Sequence, residues 1–269
     1  MAERRTVYLV SDHTGITVET MGKALLSQFE GLEFELVEWH FIDSLEKAQQ
    51  AARRICEHAQ SLAQPPIIFS TLVDPSLRAC FLGSGAMMLD FFAAFTPRLE
   101  DELGIKSTPL RGRHHSMQNH HAYEARIRAM NFALANDDGA TTKNYPTADL
   151  ILVGVSRSGK TPTCLFLGLQ HGMLAANYPL TEDDLLDEHL PKSLLEYREK
   201  LIGLSINPQQ LQRIRQERRP NSRYASLDQC RRETRLAEDL FKQEGISYLD
   251  TTAMSIEEIA ARVVQRIRS

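Results

Sequence analysis

The first third of the chain switches repeatedly between two hydrophobic periods. Val7 to Val10 is a short apolar run, rich in β-branched and aromatic residues, that predicts a strand. From Ile16 to Phe29 the apolar residues recur at helical spacing, with Val18, Met21, Leu25 and Phe29 on one side. Phe34 to Ile42 predicts a second strand. Ser44 is placed to cap a helix running to about Leu62, with Glu46 in its first turn. Pro65 and Pro66 stop that helix, and Ile67 to Leu72 predicts a third strand. Strand–helix–strand–helix–strand order argues for a parallel sheet wrapped by helices.

From about Pro75 to Leu134 the pattern reads as mostly helical, broken near Gly83 to Gly85 and by the polar stretch Ser107 to His121. Asn136 to Gly139 is a turn by composition, and the polar run Thr141 to Thr147 reads as a hinge. A second α/β series follows, with strands predicted at Leu150 to Val155, Ala175 to Leu180, Leu201 to Ile206 and Ile246 to Leu249. Helices are expected from Thr161, near Leu194, twice between Ile206 and Ile246, and from Ser255. The expected fold class is α/β, with two lobes of mainly parallel sheet flanked by helices, 1–142 and 143–269. No internal repeat and no low-complexity segment interrupts this pattern.

Composition narrows the function classes. The 269 residues carry 42% hydrophobic and 25% charged side chains, an ordinary globular balance. A formal net charge of -4 lacks the broad basic field that non-specific nucleic-acid binding requires, so no nucleic-acid partner is expected. The N-terminus runs from a polar segment straight into a strand, so no secretory signal is expected. No apolar run approaches the roughly 18 residues of a membrane span. Cys56, Cys80, Cys164 and Cys230 are scattered, with no Cys-x-x-Cys pair, and read as reduced thiols of a cytoplasmic protein.

The sharpest chemical signal follows the strand Ile151-Leu152-Val153. It is the run Gly154-Val155-Ser156-Arg157-Ser158-Gly159-Lys160-Thr161, the Gly-x-x-x-x-Gly-Lys-Thr spacing of a phosphate-binding P-loop in the C-terminal lobe. Gly154 and Gly159 let the backbone curl so that N–H groups point at phosphate oxygens, and the following helix start adds its dipole. Lys160 supplies a positive charge for the terminal phosphates, and Thr161 offers a hydroxyl to a magnesium ion. Pro162 stands at the expected first helical position, where its missing N–H costs nothing.

Other candidates are weaker. Ser11-Asp12-His13-Thr14-Gly15-Ile16-Thr17 follows the first strand, where ligands gather in parallel sheets. Asp12 could act as a base or bind metal, and Thr14 and Thr17 could hold phosphate; equally, Asp12 or Thr14 could simply cap the helix. Asp137 and Asp138 form a carboxylate pair suited to magnesium or to a hydroxyl proton, in a turn that solvent alone would also explain. His114, His115, His120 and His121 lie beside Arg111 and Arg113; without zinc-type spacing they read better as a basic loop contacting phosphate than as a metal site. Arg213, Arg215, Arg218, Arg219 and Arg223 surround Pro220-Asn221-Ser222, as either a phosphate clamp or a solvated helix end. Ile246 to Asp250 is a weak likeness of a Walker-B strand.

Taken in order, the segments Ser11 to Thr17, Asp137 to Gly139, Gly154 to Thr163, Ala176 to Leu180 and Asn221 to Ser226 resemble the family of bacterial phosphoenolpyruvate synthase regulatory proteins and the related pyruvate, phosphate dikinase regulatory proteins. The resemblance spans about Val7 to Ile259. It implies a bifunctional enzyme: an ADP-dependent serine/threonine kinase that phosphorylates a threonine of its target dikinase and releases AMP, and a phosphorylase that removes that phosphate with inorganic phosphate and forms pyrophosphate. It implies ADP as donor and carries the family's nucleotide loop onto Gly154 to Thr161. From the residue readings above, the catalytic candidates are Lys160, Asp12, Asp137 and Asp138, the candidate phosphate contacts are Thr14, Thr17, Arg218, Arg219 and Arg223, and the expected metal is magnesium at Thr161. Ser158 and His13 depart from the family's usual residues without removing a phosphate-binding group. The segment Asn221 to Ser226 favours the synthase over the phosphate dikinase as target. A homodimer is a candidate assembly. The competing classes are a small-molecule P-loop kinase using ATP and a binding protein that holds nucleotide without turning it over.

Overall fold

The computed structural model describes residues 3–108, 120–139, 141–187 and 189–268. The chain forms two compact units, Met1–Ser116 and Met117–Ser269.

The first unit contains β1 (Glu3–Val10), α1 (Ile16–Leu26), β2 (Leu32–Trp39), α2 (Leu45–Ser61), β3 (Ile67–Ser70), α3 (Pro75–Ala79), β4 (Met87–Asp90) and α4 (Phe91–Leu103). Its sheet has the order β2-β1-β3-β4, with every neighbouring pair parallel. Successive side chains of a strand point to opposite faces, and β1 divides accordingly. Val7 and Leu9 pack with Val18 of α1 and Phe91 of α4. Tyr8 and Val10 pack with Ala48, Ala51 and Ile55 of α2 and Leu77 of α3. Ser44 caps α2 as the sequence predicts, accepting from the Lys47 N–H at 3.3 Å.

Two local expectations change. The helix predicted to Phe29 ends at Leu26, and Leu25 and Phe29 are exposed; its buried face runs through Val18, Gly22 and Leu26 instead. Gly22 makes this possible, because a Cβ there would lie 3.1 Å from both Leu9 and Phe69. The stretch expected to be mostly helical contains β4, a four-residue edge strand held by parallel pairing to β3. Its last residue, Asp90, caps α4 through the Ala93 N–H at 2.7 Å and also receives the Ser70 hydroxyl at 2.7 Å.

The second unit contains α5 (His120–Ala135), β5 (Leu150–Gly154), α6 (Lys160–Phe166), β6 (Ala175–Pro179), α7 (Glu182–Leu186), β7 (Leu201–Ser205), α8 (Pro208–Arg218), α9 (Leu227–Gln243), β8 (Tyr248–Asp250) and α10 (Ile256–Arg268). The order is β6-β5-β7-β8, again parallel throughout. β5 is buried along its whole length, as a central parallel strand covered on both faces should be. Ile151 and Val153 face Leu211 of α8 and Ala237 and Phe241 of α9. Leu150 and Leu152 face Cys164 of α6 and Ile259 and Val263 of α10. The helix expected near Leu194 is a 3-10 segment, Lys192–Lys200.

The expected boundary near residue 142 moves to between Ser116 and Met117 because α5 packs on α6, β6 and the single π-turn Leu167–His171. The 141–147 stretch therefore lies inside the second unit, with Tyr145 fully buried. Cys56, Cys80, Cys164 and Cys230 are all free thiols. Among the described residues, no helix is long and apolar enough to cross a membrane.

Candidate functional site

The 154–161 loop connects β5, the buried central strand, to α6. A loop in that place sits at the carboxyl end of a parallel sheet, where side chains from neighbouring strand ends converge. The entry is tight: a Cβ on Gly154 would lie 2.4 Å from the Leu204 carbonyl oxygen of β7, so only glycine fits. The exit turns through Gly159, whose φ of 92° is left-handed and which caps α6 without a side-chain hydrogen bond. Arg157 is also left-handed, with φ 77°. The helix starts at Lys160 rather than Thr161, so Pro162 is its third residue. Its missing N–H is still harmless, because the first-turn N–H groups have no partner within the helix.

The loop is anchored on several sides. Thr251, following β8, donates its hydroxyl to the carbonyls of Ser158 at 3.2 Å and Ser205 at 3.0 Å. The Ser156 hydroxyl shares a hydrogen bond with the Tyr224 hydroxyl at 3.0 Å, and Arg215 Nη2 donates to the Ser156 carbonyl at 3.1 Å. Ser158 Oγ is buried without a hydrogen-bond partner.

Lys160 is folded under the loop. It is only 4% exposed, and its Nζ donates to the Val155 carbonyl at 2.8 Å. Burial pushes its pKa down to about 8, and Arg215 adds to that, while Asp138, Cys164 and Asp137 oppose it. A buried ammonium next to two carboxylates is thus poised between charge states near neutral pH.

The acidic turn Asp137–Gly139 meets the loop at Thr161. Asp137 Oδ1 accepts the Thr161 hydroxyl at 2.7 Å and the Asn177 side-chain N–H at 2.6 Å. The other end of the same amide accepts the Asp138 N–H at 3.1 Å, so Asn177 holds both aspartates in register. Asn177 itself is fully buried on β6. Asp138 sits in the left-handed region with φ 51°, which Asp and Asn tolerate better than most residues. A hydroxyl and a carboxylate side by side are oxygen donors of the kind magnesium takes when phosphates and water complete its shell. Among the described residues no group of three or more His, Cys, Asp or Glu is placed to hold a metal ion.

The other candidates separate. Asp12 ends β1's carboxyl side in the first unit; it is 6% exposed and accepts the Val73 N–H at 3.1 Å. Neither Asp12 nor Thr14 caps α1: Gly15 does, in a left-handed conformation without a side-chain hydrogen bond. Thr17 is exposed in the first turn of α1, and Thr14 is half-buried. Arg218 and Arg219 are exposed, while Arg223 pairs with Glu182 at 2.9 Å. Arg215 differs from both expectations for its cluster: it belongs neither to a solvated helix end nor to an open clamp, but is fully buried against the loop. His114, His115, Arg111 and Arg113 lie outside the described residues, and His121 is exposed on α5.

The sequence singles out the loop and the acidic pair; Asn177 and Tyr224 enter only within the segments that carry the resemblance, and Thr251 not at all. Asn177 alone carried a visible signal, as a polar residue inside an otherwise apolar strand.

A profile of the family described as Kinase/pyrophosphorylase matches residues 7–264. The chain belongs to that family. It is 51% identical over 261 residues to a protein of Hahella chejuensis, covering 97% of this chain and 96% of the relative. It is also 51% identical over 265 residues to one of Laribacter hongkongensis, covering 98% and 97%. A Pseudomonas aeruginosa relative is 49% identical over 264 residues, with 98% and 96% covered. Each carries the printed name "Putative phosphoenolpyruvate synthase regulatory protein". Family membership implies a phosphotransferase activity.

Proposed function

We propose that this Kinase/pyrophosphorylase chain is a cytoplasmic regulatory enzyme that transfers phosphoryl groups to and from a threonine of phosphoenolpyruvate synthase. The carrying observation is the Gly154–Thr161 P-loop sequence lying between a buried parallel strand and a helix start, with Lys160 beneath it and Thr161 bonded to Asp137. The names of the relatives support the synthase as protein partner, over the phosphate dikinase.

In the forward reaction the threonine hydroxyl attacks the β-phosphorus of ADP. The bond to the bridging oxygen breaks, AMP leaves, and the hydroxyl proton passes to a carboxylate. In reverse, inorganic phosphate attacks the phosphothreonine, threonine is released and pyrophosphate forms. Both directions move one phosphoryl group between oxygens, so one cradle serves both. Catalysis of this kind rests on positioning and on charge stabilisation rather than on covalent chemistry by the protein.

The residues divide this work. The backbone N–H groups of residues 155–161 receive the phosphate oxygens. Lys160 leaves the Val155 carbonyl and turns its charge to the transferred group. Thr161 and Asp137 would hold magnesium, which supplies charge neutralisation between neighbouring phosphate oxygens. Of Asp137 and Asp138, one accepts the hydroxyl proton, and Arg218, Arg219 and Arg223 are further candidate phosphate contacts; Asp12 is the first unit's own candidate acid, and Thr14 and Thr17 its candidate phosphate contacts.

The test is the reverse direction. Phosphorylated synthase incubated with this protein and inorganic phosphate should yield pyrophosphate and unmodified threonine in equal amounts. Release of inorganic phosphate alone would identify a simple phosphatase and overturn the reading.

A further inference from the structure

Arg215 on α8 is the largest fully buried side chain among the described residues. A guanidinium keeps its charge at any working pH, so a full positive charge is carried into the interior and must be met there. Nη2 donates to Glu233 Oε2 on α9 at 2.6 Å and to the Ser156 carbonyl at 3.1 Å. Nη1 donates to the Tyr224 carbonyl at 3.1 Å. The guanidinium lies over the Tyr224 ring, 4.1 Å from its centroid, and the Tyr224 hydroxyl reaches back to Ser156 Oγ at 3.0 Å.

Stability alone accounts poorly for this arrangement. A buried ion pair gains little over well-packed apolar residues, and Arg215 leaves its Nε buried without a partner, a further cost. What the arrangement secures is the direction of one peptide in the loop. The peptide bonds of the described residues contain no cis bond, and in a trans peptide the carbonyl and the next N–H point opposite ways. With the Ser156 carbonyl held on Arg215, the Arg157 N–H faces away from it. Arg157 is left-handed, the conformation by which such loops bring successive N–H groups onto one anion. Tyr224 lies in the turn Arg223–Ala225, directly after the stretch that carries Arg218, Arg219 and Asn221, the last left-handed at φ 56°.

We propose that Arg215 is a positioning residue for phosphate binding: its hold on the Ser156 carbonyl aims the Arg157 N–H at the bound phosphate, and its contacts with Tyr224 tie the loop to the segment bearing Arg218, Arg219 and Arg223. The proposal rests on the reading of residues 154–161 as the phosphate site. Glu233 fixes the guanidinium, and Tyr224 provides the second strut from the same segment.

Two variants test it in the full chain. Arg215→Lys keeps the charge and loses the fork; Tyr224→Phe removes one hydroxyl and keeps the ring. ADP binding is measured by calorimetry, and initial rates with phosphoenolpyruvate synthase give KM for ADP and kcat separately. The expected result is weaker ADP binding, by about tenfold to a hundredfold for Arg215→Lys and about threefold to tenfold for Tyr224→Phe. KM for ADP should rise in step, with kcat at saturating ADP and KM for the protein substrate held. A merely structural role would lower the folded fraction, and with it the apparent kcat, at unchanged KM for ADP. Tyr224→Phe decides the matter if Arg215→Lys fails to fold. Wild-type ADP affinity in Tyr224→Phe, and in Arg215→Lys where that variant folds, overturns this proposal alone, provided Lys160→Ala has lost binding. A wild-type protein that binds no ADP overturns both this proposal and the phosphate-site reading.

Discussion

The Thr161 hydroxyl donates to Asp137 Oδ1 at 2.7 Å, joining the first turn of α6 to an acidic turn 24 residues earlier in the chain. That carboxylate oxygen also accepts from Asn177, so Asp137 is fixed in place without a ligand. Its second oxygen is the one left for a metal ion or an incoming hydroxyl. Asp137→Asn should therefore lower phosphoryl transfer by about 100-fold or more, the usual range for loss of acid–base or metal-positioning function, with little change in thermal midpoint. A wild-type rate in this variant would remove Asp137 from the mechanism. Asp12→Asn, assayed in parallel, asks whether the buried acid of the first unit contributes to turnover.

Asn177 acts through both aspartates. Its amide is buried and spends both ends on the turn, one on Asp137 and one on Asp138. Asn177→Ala leaves the Asp138 N–H without that partner and should destabilise the protein by about 1–3 kcal/mol, the cost of an unmet buried polar group. It should also raise the magnesium concentration needed for half-maximal rate. Denaturant unfolding and a magnesium titration measure the two effects separately.

Lys160 is held at a cost to stability. Its pKa is depressed to about 8 from an ordinary 10.5, chiefly by burial, so the folded state binds this proton less tightly than the unfolded chain. The penalty is present in full below about pH 8, and it is relieved as pH rises toward 10.5, where the unfolded chain also loses the proton. Lys160→Met should therefore raise stability at pH 7 by about 1–3 kcal/mol and lose that slope with pH, while transfer in both directions collapses. Urea unfolding at pH 7 and pH 9.5 checks the first pair of outcomes. Near-normal phosphorolysis in this variant would contradict a shared site.

If the 154–161 loop holds nucleotide as proposed, the same group should make that binding depend on pH. A phosphate at the loop favours the charged lysine, so above about pH 8 binding must take up a proton, and affinity for ADP should fall as pH rises through 8. Calorimetry in buffers of different ionisation heat counts that proton directly. Asp138 is the strongest charge favouring the ammonium, so Asp138→Asn should move the midpoint to lower pH. The left-handed backbone at 138 accommodates Asn, so the fold should be retained.

How much of this was legible in the sequence depended on distance along the chain. β1, β3 and β5 announce themselves because central parallel strands are continuous apolar runs. β4 does not: Met87–Asp90 is a four-residue edge strand just after a glycine-rich turn, and its pairing with β3 is its main support. The buried face of α1 is not legible because a buried glycine carries no apolar signal: the stripe runs through Val18, Gly22 and Leu26, while the apolar Leu25 and Phe29 are exposed. The loop from Gly154 to Thr161 is a local motif and is read directly. Asp137 reads as half of a carboxylate pair in a turn, but its partnership with Thr161 is not legible, since that bond is made by the fold. Arg215 was least legible: an arginine among arginines looks solvated, and its burial comes from Glu233, Tyr224 and Ser156, none of them on the helix it occupies.

The central claim is that a β-phosphoryl group moves from ADP to a protein threonine at the 154–161 loop. Purified protein incubated with phosphoenolpyruvate synthase, magnesium and ADP labelled at the β-phosphate tests it most directly. The account predicts label on a synthase threonine, AMP formed in equal amount, and no transfer by the Lys160→Ala variant. Label remaining in ADP under conditions where γ-labelled ATP modifies the synthase and yields ADP would contradict it, and would mark an ordinary ATP-dependent kinase instead.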